Sequence, residues 1–441
     1  HGLTWHWMTP GIDEGDIIKQ IKLPILESET AFTLNMKCYY AALESFPQVV
    51  DALAFDQVKA QTQNQEQSLY FNAVQRPTPG CIINWNWTAK NIDALIRSLD
   101  FSSYKNPFGL PKLYIQENFY LITQLEISKQ VSEASPGTIV KLESNYLQIS
   151  TASQDVILPS LQTLEGQDLS LKDWAVEFNL QVGDCLESLP MEDVKQIEDI
   201  EVNCLRREAF WVKQLSQMEA IDLPIRKNSQ TVLSSSSKQK QLWEVPQVVQ
   251  NFLSQTTNDW STQEFLLTAF IVYLARISQN TSFSIGLGNS ITFLEKSKLN
   301  QLFAGFVPCH LEIDLEQTFA NIFVLIKQQI NKAKKSKTFH RDVVTRYPEL
   351  TSLQYLPIEQ HLPVTVQFTQ TLADYTISTN QKFVLVIARD GDCACFYDEN
   401  CYTNIAIEKL LASLTTFVEQ LVSKSDSQLT NLSLISSQDW V

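Results

Sequence analysis

A β-prone run from Leu3 to Met8 carries one imidazole, His6, and is cut off by Pro10-Gly11. An acidic loop, Asp13-Glu-Gly-Asp16, follows, and then a second apolar run at Ile17-Ile18. Strand, turn, acidic loop and strand is how an α/β protein delivers a carboxylate to the rim of a sheet. His6 and Asp13 are seven residues apart, so their side chains meet only if the loop folds back. On residue type alone, a His in an apolar strand is more often a hydrogen-bonded core residue than a catalyst. An Asp beside Gly is more often a turn former than a base.

The wording of the stretch changes that balance. His1-Gly-Leu-Thr-Trp-His6, then Ile12-Asp13-Glu-Gly-Asp16-Ile17, resembles the distal half of the active site of folate-dependent formyltransferases, which act on methionyl-tRNA, glycinamide ribonucleotide or peptide-synthetase initiation modules. The resemblance implies that Asp13 sits beside the reacting centre and that His6 orders it. Gly15 and Asp16 would face the one-carbon donor, 10-formyltetrahydrofolate, and no metal is expected. The family's asparagine and second histidine, in an N-x-H-P-S-L-L-P segment, do not occur in this sequence. The expectation is a piece of a longer polypeptide, inactive or nearly so alone.

Length and charge narrow the substrate. A chain of 441 residues implies two or three domains. The formal net charge is −15, and residues 1–180 carry 12 Lys+Arg against 20 Asp+Glu. Phosphate neutralisation needs clustered Lys and Arg, so a nucleic-acid partner is not expected, and a small-molecule or carrier-protein substrate fits better. No run approaches the roughly 18 apolar residues of a membrane span, and the start shows no signal peptide; a cytoplasmic location is expected. The eight Cys are scattered, as for free thiols in a reducing compartment. Cys393-Ala-Cys395 lacks a nearby His and the usual zinc spacing, and is read as structural.

Residues 1–60 are read as the C-terminal part of a Rossmann-like formyltransferase catalytic domain. Thr30 offers an N-cap for a helix over 31–45, with Pro47 interrupting and a short helix over 49–53. Residues 56–75, rich in Gln, read as a linker. Residues 70–180 are read as the small C-terminal domain of formyltransferases. The resemblance rests on Ile83-Asn84-Trp85, an amphipathic helix with Ile92, Leu95, Ile96 and Leu99, and the segment from Pro107 to Leu113. Asn84 departs from the acidic residue many relatives carry there. Strands expected at 112–115, 120–127, 137–142, 146–150 and 155–164 suggest a small open, OB-like barrel, with a structural or docking role.

Residues 181–204 are read as a linker, with a helix from about Val194 to Met218. The segment Arg207-Glu-Ala-Phe-Trp-Val-Lys-Gln-Leu215, ending at Leu223-Pro224, resembles the element that opens the second lobe of peptide-synthetase condensation domains, a chloramphenicol-acetyltransferase-like fold. Gly305-Phe-Val-Pro-Cys-His310-Leu stands where that family carries G-F-F-V-N-T-L. Residues 205–441 are therefore read as a condensation half-lobe, with a strand entering it over 229–244. The condensation motif H-H-x-x-x-D-G is absent: the five His are His1, His6, His310, His340 and His361, none adjacent to another. The lobe is read as a non-catalytic remnant, with His340 and His361 satisfying local hydrogen bonds.

The two resemblances together imply an α/β and α+β multidomain chain from a nonribosomal peptide synthetase initiation module. Such a module N-formylates an aminoacyl thioester held on a carrier protein, with an adenylation domain in cis. The competing reading is a structural or docking module in which the formyl site has decayed. A free-standing sugar-amine formyltransferase is a third, against which the half-lobe counts.

Overall fold

The computed structural model describes residues 1–435 except 65, 67, 68, 73, 228–237, 256–259, 289–297 and 376–380. It divides into two compact units, His1–Val202 with Thr345–Pro348, and Asn203–Val344 with Glu349–Val441. The fold is mixed α/β.

In the first unit, β1 (Gly2–His6) pairs antiparallel with β2 (Ile17–Lys22), with the register shifting between Trp5 and His6. Helix α1 (Ala31–Ala54) packs on this hairpin. Thr30 caps it: its hydroxyl accepts from the Thr33 N–H while Thr33 returns the bond. The Trp5 indole donates to Ser45 Oγ at 2.9 Å and its ring lies 5.6 Å from that of Phe46. The break expected at Pro47 does not occur, and the helix runs through it. A proline removes one main-chain donor but leaves the turns on either side intact, and Ser45 and Val49, one turn apart, are both held in buried contact.

Helix α2 (Ala89–Ser98) starts at Thr88, whose hydroxyl accepts from the Asn91 N–H. It buries Ala89, Ile92, Leu95 and Ile96 in a core with Trp85, Leu113, Ile139, Leu147, Val156 and Trp174. Strands β3 (Lys112–Ile115) and β4 (Asn118–Leu121) form a hairpin. Strands β5 (Glu126–Ile127), β6 (Ile139–Leu142), β7 (Leu147–Ile149) and β8 (Val156–Leu158) form an antiparallel sheet in the order β5-β8-β7-β6. The strand expected over 120–127 is two strands in two sheets. The one expected over 155–164 stops at Leu158, because Pro159 has no N–H to continue the ladder. Helix α3 (Leu171–Glu177) closes this region.

Helix α4 (Met191–Ser216) begins earlier than its apolar pattern suggests, so the second half of the segment read as a linker, 181–204, is helical. Glu201 is buried and accepts from the Gly80 N–H at 3.0 Å.

The second unit is organised by a six-stranded mixed sheet. Its strands are β9 (Lys238–Trp243), β10 (Ser282–Gly288), β11 (Phe306–Glu312), β12 (Val364–Thr369), β13 (Phe383–Ala388) and β14 (Cys393–Asp398), in the order β11-β10-β12-β13-β14-β9. The strand expected over 229–244 is described only as β9; its first part lies outside the described residues. The helices are α5 (Gln247–Gln255), α6 (Thr262–Ser278), α7 (Phe319–Ser336), the single turn α8 (Val343–Arg346) and α9 (Asn404–Ser423). Every residue of α6 from Phe265 to Ala275 is buried, as expected of a helix apolar all round. Its Phe270 ring stacks 6.1 Å from Phe383 of β13, and its Tyr273 hydroxyl donates to Leu410 O on α9. Trp211 on α4 is fully buried and its indole donates to Ser336 O at 3.0 Å.

Candidate functional site

The loop between β1 and β2 does fold back. His6 Nε2 lies 3.4 Å from Asp13 Oδ1, and His6 Nδ1 lies 2.9 Å from the carbonyl oxygen of Trp7. That carbonyl can only accept, so Nδ1 carries a proton there. In the neutral ring Nε2 is then an acceptor facing the carboxylate, and the approach becomes an ion pair only when the ring gains a second proton. His6 is partly covered, whereas the Asp13 side chain is 85% exposed. An ion pair this open contributes little to stability.

The fold-back has identifiable causes. Asp13 takes a left-handed conformation, φ 54°, which Asp tolerates better than most residues. Gly15 is buried, and a Cβ there would stand 1.7 Å from Trp7 O and 3.3 Å from His6 Nδ1. Only glycine allows that approach. The Trp7 N–H donates to Asp16 O at 3.0 Å, closing the loop beneath His6.

A residue that sequence reasoning missed completes the clamp. Gln63 lies in the stretch read as a linker, yet its carboxamide donates to the carbonyls of both Asp13 and Gly15. Gln61 exchanges main-chain hydrogen bonds with Ile17, at 2.7 and 2.9 Å. A Gln-rich stretch has no periodicity, and no sequence signal separates Gln63 from its neighbours.

The four residues singled out in the sequence therefore divide. His6 and Asp13 are brought together. Gly15 is packed against Trp7 and shapes the loop. Asp16 offers an exposed side chain while its carbonyl is used. Among the described residues, no group of three or more His, Cys, Asp or Glu is arranged to hold a metal ion. No helix among them is long and apolar enough to cross a membrane.

The histidines of the second unit are placed differently. His340 is buried with its ring 4.5 Å from that of Phe303. His310 Nδ1 lies 3.3 Å from Ser284 Oγ. Burial holds the His361 imidazole below its usual range. Cys393 and Cys395 are buried free thiols whose pKa values burial pushes up.

Residues 78–179 match the family described as formyl transferase, C-terminal domain. The chain is 24% identical over 173 residues to methionyl-tRNA formyltransferase of Legionella pneumophila (strain Corby), covering 39% of this chain and 52% of that protein. It is also 24% identical over 186 residues to the enzyme of that name from Clostridium tetani, covering 42% of this chain and 57% of that protein. The chain thus spans about half the length of the curated relatives it matches. Similar solved structures include a four-domain nonribosomal peptide synthetase bound to AMP and glycine, at 10% identity and TM-score 0.44 over 65% of this chain and 25% of that one. Another is the starter condensation domain of rhizomide synthetase, at 11% identity and TM-score 0.37 over 66% of this chain and 72% of that one.

Proposed function

We propose that this chain belongs to a nonribosomal peptide synthetase initiation module that transfers a formyl group from 10-formyltetrahydrofolate to the amine of a carrier-bound aminoacyl thioester. In this reading residues 1–60 are the end of a Rossmann-like catalytic domain and 70–180 a small OB-like C-terminal domain. Residues 181–204 connect them to a chloramphenicol-acetyltransferase-like condensation half-lobe, 205–441, that has lost its catalytic histidine. The adjoining partners are a carrier protein and an adenylation domain, in the cytoplasm. The observation that carries the reading is the approach of Asp13 to His6 at 3.4 Å, in a chain whose residues 78–179 match the formyl transferase C-terminal domain.

The donor, when bound, supplies an activated formyl carbon. Amine attack there builds a tetrahedral oxyanion and requires the nitrogen to lose a proton. With Nδ1–H on the Trp7 carbonyl, His6 Nε2 is the free acceptor that can take up the proton the amine loses, and the Asp13 carboxylate 3.4 Å away would steady the imidazolium so formed. The Gly15–Trp7 packing shapes the loop that carries Asp13, and the exposed side chain of Asp16 is the group left to face the ligand. The oxyanion donors would come from outside the described site. The acidic balance of residues 1–180 favours a carrier-protein substrate over tRNA.

The test is to incubate the polypeptide carrying a complete catalytic domain with 10-formyltetrahydrofolate and aminoacyl-loaded carrier protein, and to read the mass of the carrier. Gain of one formyl group is expected. No gain, with folded protein and loaded carrier, favours the second reading, a structural or docking module. One observation points that way: the carboxylate of Asp13 stands 85% exposed rather than enclosed as catalytic carboxylates often are.

A further inference from the structure

His6, Ile17 and Gln61 lie side by side on three passes of the chain. Ile17 pairs with His6 across the β1–β2 hairpin. On its other side it exchanges both main-chain hydrogen bonds with Gln61, at 2.7 and 2.9 Å. The Ile17–Gln61 bridge is antiparallel, so moving on along one pass and back along the other brings Gln63 opposite Gly15. Gln63 is half-buried there, while Gln61, Thr62 and Asn64 beside it are exposed. Its carboxamide nitrogen has two hydrogens to give. It donates to Asp13 O at 2.8 Å and to Gly15 O at 2.5 Å. Those two carbonyls lead to the two nitrogens of one ring. Gly15 packs against the Trp7 carbonyl oxygen, which accepts from His6 Nδ1 at 2.9 Å. Asp13 carries the carboxylate that stands 3.4 Å from His6 Nε2. The Asp13 side chain is open to solvent, so its direction is set by a main chain held left-handed, at φ 54°.

We propose that Gln63 is the positioning residue of the His6–Asp13 pair: by donating to two carbonyls at once, it fixes which nitrogen of His6 carries the proton and where the Asp13 carboxylate points. The inference rests on the proposed formyl transfer for what the pair does, and not for how the pair is held. What the position requires is donors, not shape. A glutamate of the same size would set its oxygens against two carbonyl oxygens, none of which can donate, and the loop would be pushed away. A lysine ammonium, with three donors on a longer and flexible stem, can serve both carbonyls. Gln63 lies on the stretch that connects α1 to residues 78–179, so the pair is assembled only while that stretch lies along β2.

Labelling the five histidines of the 441-residue chain with ¹⁵N lets long-range proton–nitrogen correlation spectra at pH 8 report the His6 tautomer, with His6→Gln supplying the assignment. The unaltered chain is expected to hold the proton on Nδ1. Gln63→Glu should move it to Nε2, lowering the Nδ1–H share about fivefold, the factor that one lost hydrogen bond is worth, with the melting temperature unchanged. Gln63→Lys should keep the Nδ1–H form. In a polypeptide with a complete catalytic domain, Gln63→Glu should lower kcat about tenfold or more, leave KM for the loaded carrier unchanged, and add little to Asp13→Asn. The proposal is overturned if Gln63→Glu leaves the tautomer as it is, or if Gln63→Lys shifts it just as far. It is also overturned if Gln63→Glu costs as much turnover on top of Asp13→Asn as it does alone. The tautomer is read without formyl donor, so a shift with turnover intact upholds the positioning role and rejects formyl transfer by the pair.

Discussion

Gly15 lies against Trp7 so closely that a Cβ on it would stand 1.7 Å from the Trp7 carbonyl oxygen. The same carbonyl holds His6 Nδ1. Main-chain atoms cannot yield to a methyl group as a flexible side chain would. Gly15→Ala should therefore push the loop off His6 and destabilise the first unit by roughly 1–3 kcal/mol. Chemical denaturation checks this, and a midpoint equal to that of the unaltered chain would contradict it.

Gln63 acts from outside the loop. Gln63→Ala removes two hydrogen bonds, to Asp13 O and Gly15 O, each worth about 1 kcal/mol net. The expected outcome is faster amide exchange confined to residues 12–17, with little change in global stability. Unchanged exchange there would show that the loop keeps its shape without the clamp.

His361 gives the second unit a pH dependence. Burial lowers its pKa from the usual 6.5, opposed by a main-chain hydrogen bond at Leu353 and aided by Lys382. A depressed folded-state value means that the unfolded chain binds the proton first as pH falls. The stability associated with neutral His361 is thus fully present above about pH 6.5 and is lost as pH falls through and below that value. His361→Gln should flatten the melting-temperature difference between pH 7.5 and 5.5. An identical pH profile in the variant would reject the assignment.

The cysteines should separate by reactivity. Cys185 is exposed, whereas Cys309, Cys393 and Cys395 are buried, and burial pushes the Cys309 thiol up to about 12. Since the thiolate is the nucleophile, iodoacetamide at pH 8 should label Cys185 in the native chain and the three buried thiols only on unfolding. Early labelling of Cys395 would contradict the buried strand β14.

The elements legible in the sequence are those with strong periodicity or a clear cap. The amphipathic spacing of Ile92, Leu95 and Ile96 announced α2, and the N-cap Thr30 announced the start of α1. Misjudged boundaries trace to single residues. Pro47 was expected to break α1, but packing on both sides of it carries the helix through. Pro159 ended a strand that hydrophobicity alone extended. At the site, residue type alone favoured a core histidine and a turn former; the resemblance to formyltransferases singled out His6 and Asp13, and their meeting required Gly15. Gln63 was not legible, because its role depends on a chain reversal that no local pattern encodes.

The central claim is that His6 and Asp13 work as a pair in formyl transfer. The most direct test measures turnover with 10-formyltetrahydrofolate and aminoacyl carrier protein in a polypeptide with a complete catalytic domain, comparing His6→Ala, Asp13→Asn and the double variant. The account predicts that each single change lowers turnover by about 10²-fold or more and that the double change adds little, as for residues acting as one unit. Near-normal turnover in either single variant, with the fold intact, would contradict it.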